Sequence, residues 1–202
     1  MTKNPIVFVV DDERAMRKSL GLLFKSVGIQ SKLYDSAEAF LDDYAPSSAG
    51  CLIVDMCMKG MSGLELQVEL IERGLRIPQI FISGYAEVPA AVKAMQAGAI
   101  DFLEKPFRDT ELLERVQQAL EEDAKKRKRD TQRAQIKQRL ESLSPRESQI
   151  LDELARGNST KQIARLFGIS PKTVDTHRSR VLNKMQARGV VDLVQQLHFL
   201  DR

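Results

Sequence analysis

The stretch IVFVVDDER, residues 6–14, decides how the rest of the chain reads. Five apolar residues, Ile6 to Val10, run straight into Asp11, Asp12 and Glu13. A short run that is apolar throughout has the character of a strand buried on both faces, as in a parallel sheet. A solvated turn at its end needs only one or two polar residues of any kind. Adjacent acids there point to a site that tolerates negative charge, and so to a cation.

Four further strand-like runs follow: SKLY (31–34), CLIVD (51–55), PQIFIS (78–83) and AIDFL (99–103). Between them lie segments with helical spacing, at 14–27, 36–44, 63–73, 87–97 and from 109 onward. Ser36 and Asp109 have the character of helix starts. Five strand–helix units with short connections predict an α/β fold: a doubly wound, five-stranded parallel sheet with helices on both faces.

The chain is 202 residues long, room for one large domain or two small ones. Its 43% hydrophobic and 29% charged content is ordinary for a soluble globular protein. No apolar run approaches the ~20 residues of a membrane helix, and the start, MTKNPIVFVVDDE, lacks the features of a signal peptide. Cys51 and Cys57 make neither a disulfide framework nor, with two histidines in the chain, a zinc site. The expectation is a reduced, cytoplasmic protein. Charge is divided: residues 1–120 carry 13 Lys and Arg against 17 Asp and Glu, whereas residues 121–202 carry 18 against 11. A mildly acidic front and a basic back suggest two modules, the second with an anionic partner.

After residue 120 the texture changes. EEDAKKRKRDTQRAQIKQRLES (121–142) has no Gly or Pro and sparse apolar positions. It reads as a long exposed helix continuing the fifth helix, with a partly disordered basic hinge as the alternative; Leu120 and Ala124 fit a thin dimer seam. The expected domains are 1–120, a helical linker at 121–140, and a small all-α domain at 141–202. In the last, Ser144, Pro145 and Glu147 form a capping box, and three more helices follow.

In a doubly wound sheet, ligands bind beyond the carboxyl ends of the strands. Asp11 and Asp12 follow the first strand, Asp55 ends the third, Ser83 ends the fourth and Lys105 follows the fifth. Carboxylates gathered there repel one another without a cation. Mg²⁺ suits them, a hard ion that takes one or two carboxylates plus water and phosphate oxygens. A carboxylate beside Mg²⁺, with a lysine and a hydroxyl to hold phosphoryl oxygens, is equipped for phosphoryl transfer.

VVDDE, LIVDMCMKGMSGLE, IFISGY and AIDFLEKPF resemble the receiver domain of two-component response regulators, across roughly residues 4–120. The resemblance implies that Asp55 accepts phosphate from a sensor histidine kinase. It also implies that Asp12, Asp55 and the backbone carbonyl of Cys57 ligand Mg²⁺, with Asp11 acting through water. Ser83 and Lys105 would contact the phosphoryl group, and Ser83 and Phe102 would be the switch residues. Lys105-Pro106 would be a cis peptide. Phe102 can equally be a plain core residue. One departure stands out: Lys59 replaces the usual Pro, giving a more flexible, more positive loop beside the phosphate.

STKQIARLFGISPKTVDTHRSRV (159–181) is a helix, a turn at Gly168-Ile169-Ser170, and a second helix. A helix-turn-helix lays its second helix in the DNA major groove. Asp175, Ser179 and Asn183 stack at i+4 on one side, with Thr176 and Arg180 alongside, able to hydrogen-bond base edges. Lys161, Lys172, Arg178, Arg180 and Lys184 are placed to meet phosphates. Thr173 joins the DNA-facing set, its alternative role being that of a first-turn residue. His177 reads as a packing histidine. LSPRE and TVDTHRSRVLNKM resemble the LuxR-type DNA-binding domain over 140–200, and the two modules together resemble the FixJ branch of the NarL/FixJ response regulators.

The leading expectation is a non-enzymatic transcription factor, in which phosphorylation of Asp55 promotes a homodimer on double-stranded promoter DNA, with RNA polymerase as a further partner. Two alternatives remain. A receiver-like front domain can act without phosphate. An aspartate-nucleophile phosphatase would place a second Asp two residues beyond the nucleophile, where this chain has Cys57.

Overall fold

The period-two alternation of the strands is what builds the first core. In the computed structural model, which describes residues 4–84 and 88–201, β1 (Ile6–Val10), β2 (Gln30–Tyr34), β3 (Gly50–Asp55), β4 (Gln79–Ser83) and β5 (Asp101–Glu104) form one sheet. All neighbours are parallel, in the order β2-β1-β3-β4-β5. Phe8, Val10, Leu52, Val54 and Phe81 pack to one face against α2 (Ala37–Asp43), α3 (Gly63–Glu72) and α4 (Val88–Gln96). Val7, Val9, Cys51, Ile53, Ile80 and Ile82 pack to the other, against α1 (Arg14–Ser26) and the first part of α5 (Asp109–Glu141). β3 is buried at all six positions, as a central parallel strand must be.

Ser36 caps α2 by accepting from the Ala39 N–H at 3.2 Å. β5 starts two residues later than expected, because Ala99 is used to end α4: its N–H donates to Ala94 O at 3.0 Å. Tyr85 of the IFISGY motif and Glu87 of the fourth expected helix lie outside the described residues.

The chain divides into two compact units at Lys126/Arg127. The stretch 121–140, expected as an exposed linker, is helical, but it is shared between the units. Leu120 packs against the first core, which removes it from the dimer seam considered above. Asp123 is buried there and accepts from the Gly50 N–H at 2.9 Å. Gly50 tolerates no side chain, since a Cβ would lie 1.8 Å from Ile6 O. Ile136 is buried and Leu140 half-buried in the core of the second unit.

That second core is closed by α6 (Pro145–Ala155), α7 (Thr160–Phe167), α8 (Pro171–Met185) and α9 (Val190–Asp201). Ser144 and Ser159 open α6 and α7 with capping boxes, and Ser170 caps α8. Glu147 does more than cap. Its buried carboxylate accepts from the Lys184 ammonium at 2.6 Å and from the Ser144 N–H at 2.9 Å. Lys184 also donates to Ser142 O at 2.9 Å. The Lys184 hydrogen bond, then that of the Ser144 backbone, holds Glu147 down at about 2.

Truncating Ile136 to Ala should destabilise the second unit by about 2–5 kcal/mol, read as a lower denaturant midpoint; an unchanged midpoint would return residue 136 to a spacer. Because the carboxyl of Glu147 titrates lower folded than unfolded, its stabilisation is complete above the ordinary value of 4.5 and is lost as pH falls toward about 2. Glu147→Gln should flatten the stability of the second unit over that window. Lys184→Met should cost about 1.5–3 kcal/mol at neutral pH, measured by denaturant unfolding.

Candidate functional site: an acidic crevice and a helix-turn-helix

β1 pairs with β2 on one side and β3 on the other, so the chains leaving β1 and β3 diverge and open a crevice at the carboxyl edge. Asp11, Asp55 and Ser83 are all buried there. Lys105 reaches in from beyond β5 and donates to Asp55 Oδ1 at 2.6 Å and to Asp11 Oδ2 at 3.0 Å. The Lys105 N–H donates to Ser83 O at 2.7 Å, tying the lysine's own backbone to the end of β4. Lys105-Pro106 is a cis peptide.

Each acid has a distinct place. Asp11 is held at three points: Oδ1 accepts from the Glu13 N–H at 2.7 Å, Oδ2 from Lys105, and its carbonyl from the Arg17 guanidinium at 2.7 Å. Asp55 Oδ2 accepts from the Cys57 N–H at 3.0 Å. Asp12 is half-buried and, among the described residues, meets only the Lys59 N–H, at 3.4 Å. A proline at 59 has no N–H to offer, so this contact depends on residue 59 not being proline. Gly63 opens α3 against the same edge; a Cβ there would stand 2.5 Å from Asp55 O. The capping box of Ser62 and Glu65 fixes that helix start.

Burial pushes the Asp55 carboxyl above its ordinary range, against the downward pull of the Lys105 hydrogen bond and charge; the Asp11 charge adds to the rise. For Lys105, burial disfavours the ammonium, but the hydrogen bonds and charges of Asp55 and Asp11 outweigh it and its pKa rises. The lysine is therefore a fixed cation holding two carboxylates together.

The donors at the crevice are hard oxygens, with no imidazole among them. Among the described residues no three acidic, His or Cys side chains form a ready cage. The hard oxygens of Asp12 and Asp55 suit Mg²⁺, which uses few carboxylates and keeps its waters.

Phe102 is half-buried on β5 and packs against the core beneath α4. With Val88, Val92 and Met95 it lines a shallow apolar groove. Val88 is 68% exposed, Val92 46% and Met95 43%. Sequence reasoning passed over the Arg17 clamp, whereas the face of the fourth helix and fifth strand is the one expected to change on phosphorylation and favour a dimer. Arg17 stood in an opening helical turn that carries no acid, against the helix dipole, and that was its signal.

In the second unit, Gly168 ends α7 in the left-handed region at φ 63° and Ser170 starts α8, so the turn falls where the spacing put it. Val174, Val181 and Met185 face the core. Lys161, Lys172, Thr173, Asp175, Thr176, Ser179 and Arg180 are exposed, and Arg178 is half-buried. Lys184 is different: it is committed to Glu147 and Ser142, an internal tie rather than a free cation for phosphate. His177 is half-buried.

Residues 7–117 match the response regulator receiver domain, and residues 141–197 match the bacterial regulatory proteins of the luxR family. Receiver domains generally bind Mg²⁺ at the phosphorylation site, and they imply a sensor kinase partner, as the luxR-family domain implies DNA binding. Nodulation protein W of Bradyrhizobium diazoefficiens is 43% identical over 190 residues, 94% of this chain and 84% of the relative. The transcriptional regulatory protein FixJ of the same organism is 40% identical over 195 residues, 96% of this chain and 95% of FixJ. The solved structure of response regulator StyR superposes with a TM-score of 0.91 at 40% identity, covering 97% of this chain and 99% of StyR. The crevice, the helix-turn-helix and these likenesses agree: the chain belongs to the transcriptional response regulators that join a receiver domain to a LuxR-type DNA-binding domain, in the FixJ branch.

Proposed function

We propose that this protein is a phosphorylation-controlled, cytoplasmic transcription factor whose phospho-acceptor is Asp55. The observation that carries the reading is the Lys105 ammonium bridging Asp55 and Asp11 at the carboxyl edge of the sheet. A carboxylate oxygen of Asp55 attacks the phosphorus of a kinase phosphohistidine. The O–P bond forms as the N–P bond breaks, and its electron pair returns to the imidazole. Lys105 and Ser83 take up phosphoryl oxygens, and the Cys57 N–H holds the acceptor carboxylate in line. Bound by Asp12, Asp55 and the Cys57 carbonyl, with Asp11 behind a water, Mg²⁺ would neutralise charge building on the transferred group. The receiver assists only its own phosphotransfer and dephosphorylation.

Once the phosphoryl group sits on Asp55, Lys105 and Ser83 are drawn to its oxygens, and Phe102 follows Ser83 inward. The exposed apolar residues of α4 then give the homodimer its interface. The dimer sets two copies of α8 in successive major grooves of promoter DNA. Thr173, Asp175, Thr176, Ser179 and Arg180 face bases; Lys161, Lys172 and Arg178 meet phosphates. RNA polymerase is the further partner.

Mass spectrometry and sedimentation of the intact chain, with Mg²⁺ and a small phosphodonor, test this against Asp55→Asn. The expected result is one phosphoryl group on the wild type alone, accompanied by dimerisation and tighter operator binding. Lys105→Ala should slow phosphoryl uptake and fail to pass the signal to assembly. An adduct that leaves assembly and DNA binding unchanged would sink the output mechanism, and no adduct would favour a phosphate-independent module.

A further inference from the structure

Asp175 is the only carboxylate on α8, a helix that carries Lys172, Arg178, Arg180 and Lys184. It is exposed, and among the described residues no basic side chain pairs with it. An acid on a face meant for polyanionic DNA is repelled by phosphate, so its presence needs a favourable contact to offset that cost. Nor does it serve the helix dipole, since it stands in the second turn of α8 rather than the first.

Its side chain is not loose. Asp175 Oδ1 accepts from the Thr160 hydroxyl at 3.1 Å, a bond from the first residue of α7 to α8. That bond orients the carboxylate within the helix-turn-helix and leaves Oδ2 open to a further donor. Ser179 and Asn183 continue the same face one and two turns on.

The major-groove edges then decide the partner. Guanine presents only acceptors there, thymine an acceptor and a methyl, and adenine a donor with an acceptor beside it. Cytosine alone presents an amino donor with no acceptor next to it. A carboxylate is repelled by the first two, meets at adenine a donor flanked by a repelling acceptor, and is satisfied by the last.

We propose that Asp175, held by Thr160, reads a cytosine amino group in each half of the operator, and that Thr160 is its positioning residue. This rests on the reading of α8 as the groove-inserted helix.

The test is in vitro selection of double-stranded DNA by the full-length chain, treated with Mg²⁺ and phosphodonor, followed by affinity measurement on single-base variants. Wild type should enrich sites with one cytosine column per half-site, preferred about tenfold over other bases. Asp175→Ala should flatten that column alone. Asp175→Asn should turn it toward adenine, whose donor–acceptor edge an amide matches. Thr160→Val should weaken the cytosine preference, and Thr160→Ser should restore it, with other columns unmoved. A plain structural role for the Thr160–Asp175 bond would instead lower overall affinity or stability equally in all variants, and that outcome overturns the proposal. An enriched operator whose columns are the same for Asp175→Ala and wild type overturns it while keeping α8 as the DNA reader. No enriched sequence with any variant overturns both.

Discussion

Acids crowded at one edge of a sheet set the terms for everything around them. Two unit charges 4 Å apart interact by about 4 kcal/mol at an effective dielectric of about 20, a large part of a small domain's whole margin of about 5–15 kcal/mol. The Lys105 ammonium answers that repulsion by bonding Asp11 and Asp55 at once. Its position makes it a structural tie as well. It starts beyond β5, at one end of the strand order, and reaches Asp11 beyond β1, crossing the ends of β4 and β3. The carboxyl edge is drawn together by a single cation, so any new anion placed among its partners alters the balance across four strands.

The far edge of the same sheet has its own tie. Asp123 on α5 holds the N–H of Gly50, where β3 begins, and Asp55 stands where β3 ends. A strand buried at every position and fixed at both ends has little freedom to slide. It is a rigid mount for the Asp55 carboxylate, which is what a site built on positioned charges needs.

Much of this was legible before any coordinates. Apolar runs with acids, a hydroxyl and a lysine at their ends locate both the sheet and its working edge, because parallel topology puts those ends together. The Ser-Pro and Gly signals place α6 to α8 nearly to the residue, since caps are local chemistry. What the sequence hid was burial that depends on distant partners. Asp123 lies in an acidic run that looks solvated, yet Leu112, Val116, Ala119 and Asp123 follow the four-three-four spacing of one helix face. Ile136 and Leu140 stand one turn apart in a basic stretch; two apolar residues were too few to show that a second core begins there. Lys184 looked like another surface cation because its partner, Glu147, is thirty-seven residues away. The start of β5 was misjudged because the end of α4 consumed a residue that by composition suits a strand.

The two cysteines stand at opposite extremes of accessibility on a single strand and its loop. Cys51 is sealed within the sheet, where burial, reinforced by the Asp123 charge, pushes its thiol up to about 12. Cys57 is exposed two residues beyond Asp55, with its own N–H on the Asp55 carboxylate. Thiolate is the reactive form of cysteine, so an alkylating dye will find Cys57 and pass Cys51 by. The native chain thereby carries a selective attachment point for a fluorophore or spin label at the mouth of its own crevice, with no residue added or removed.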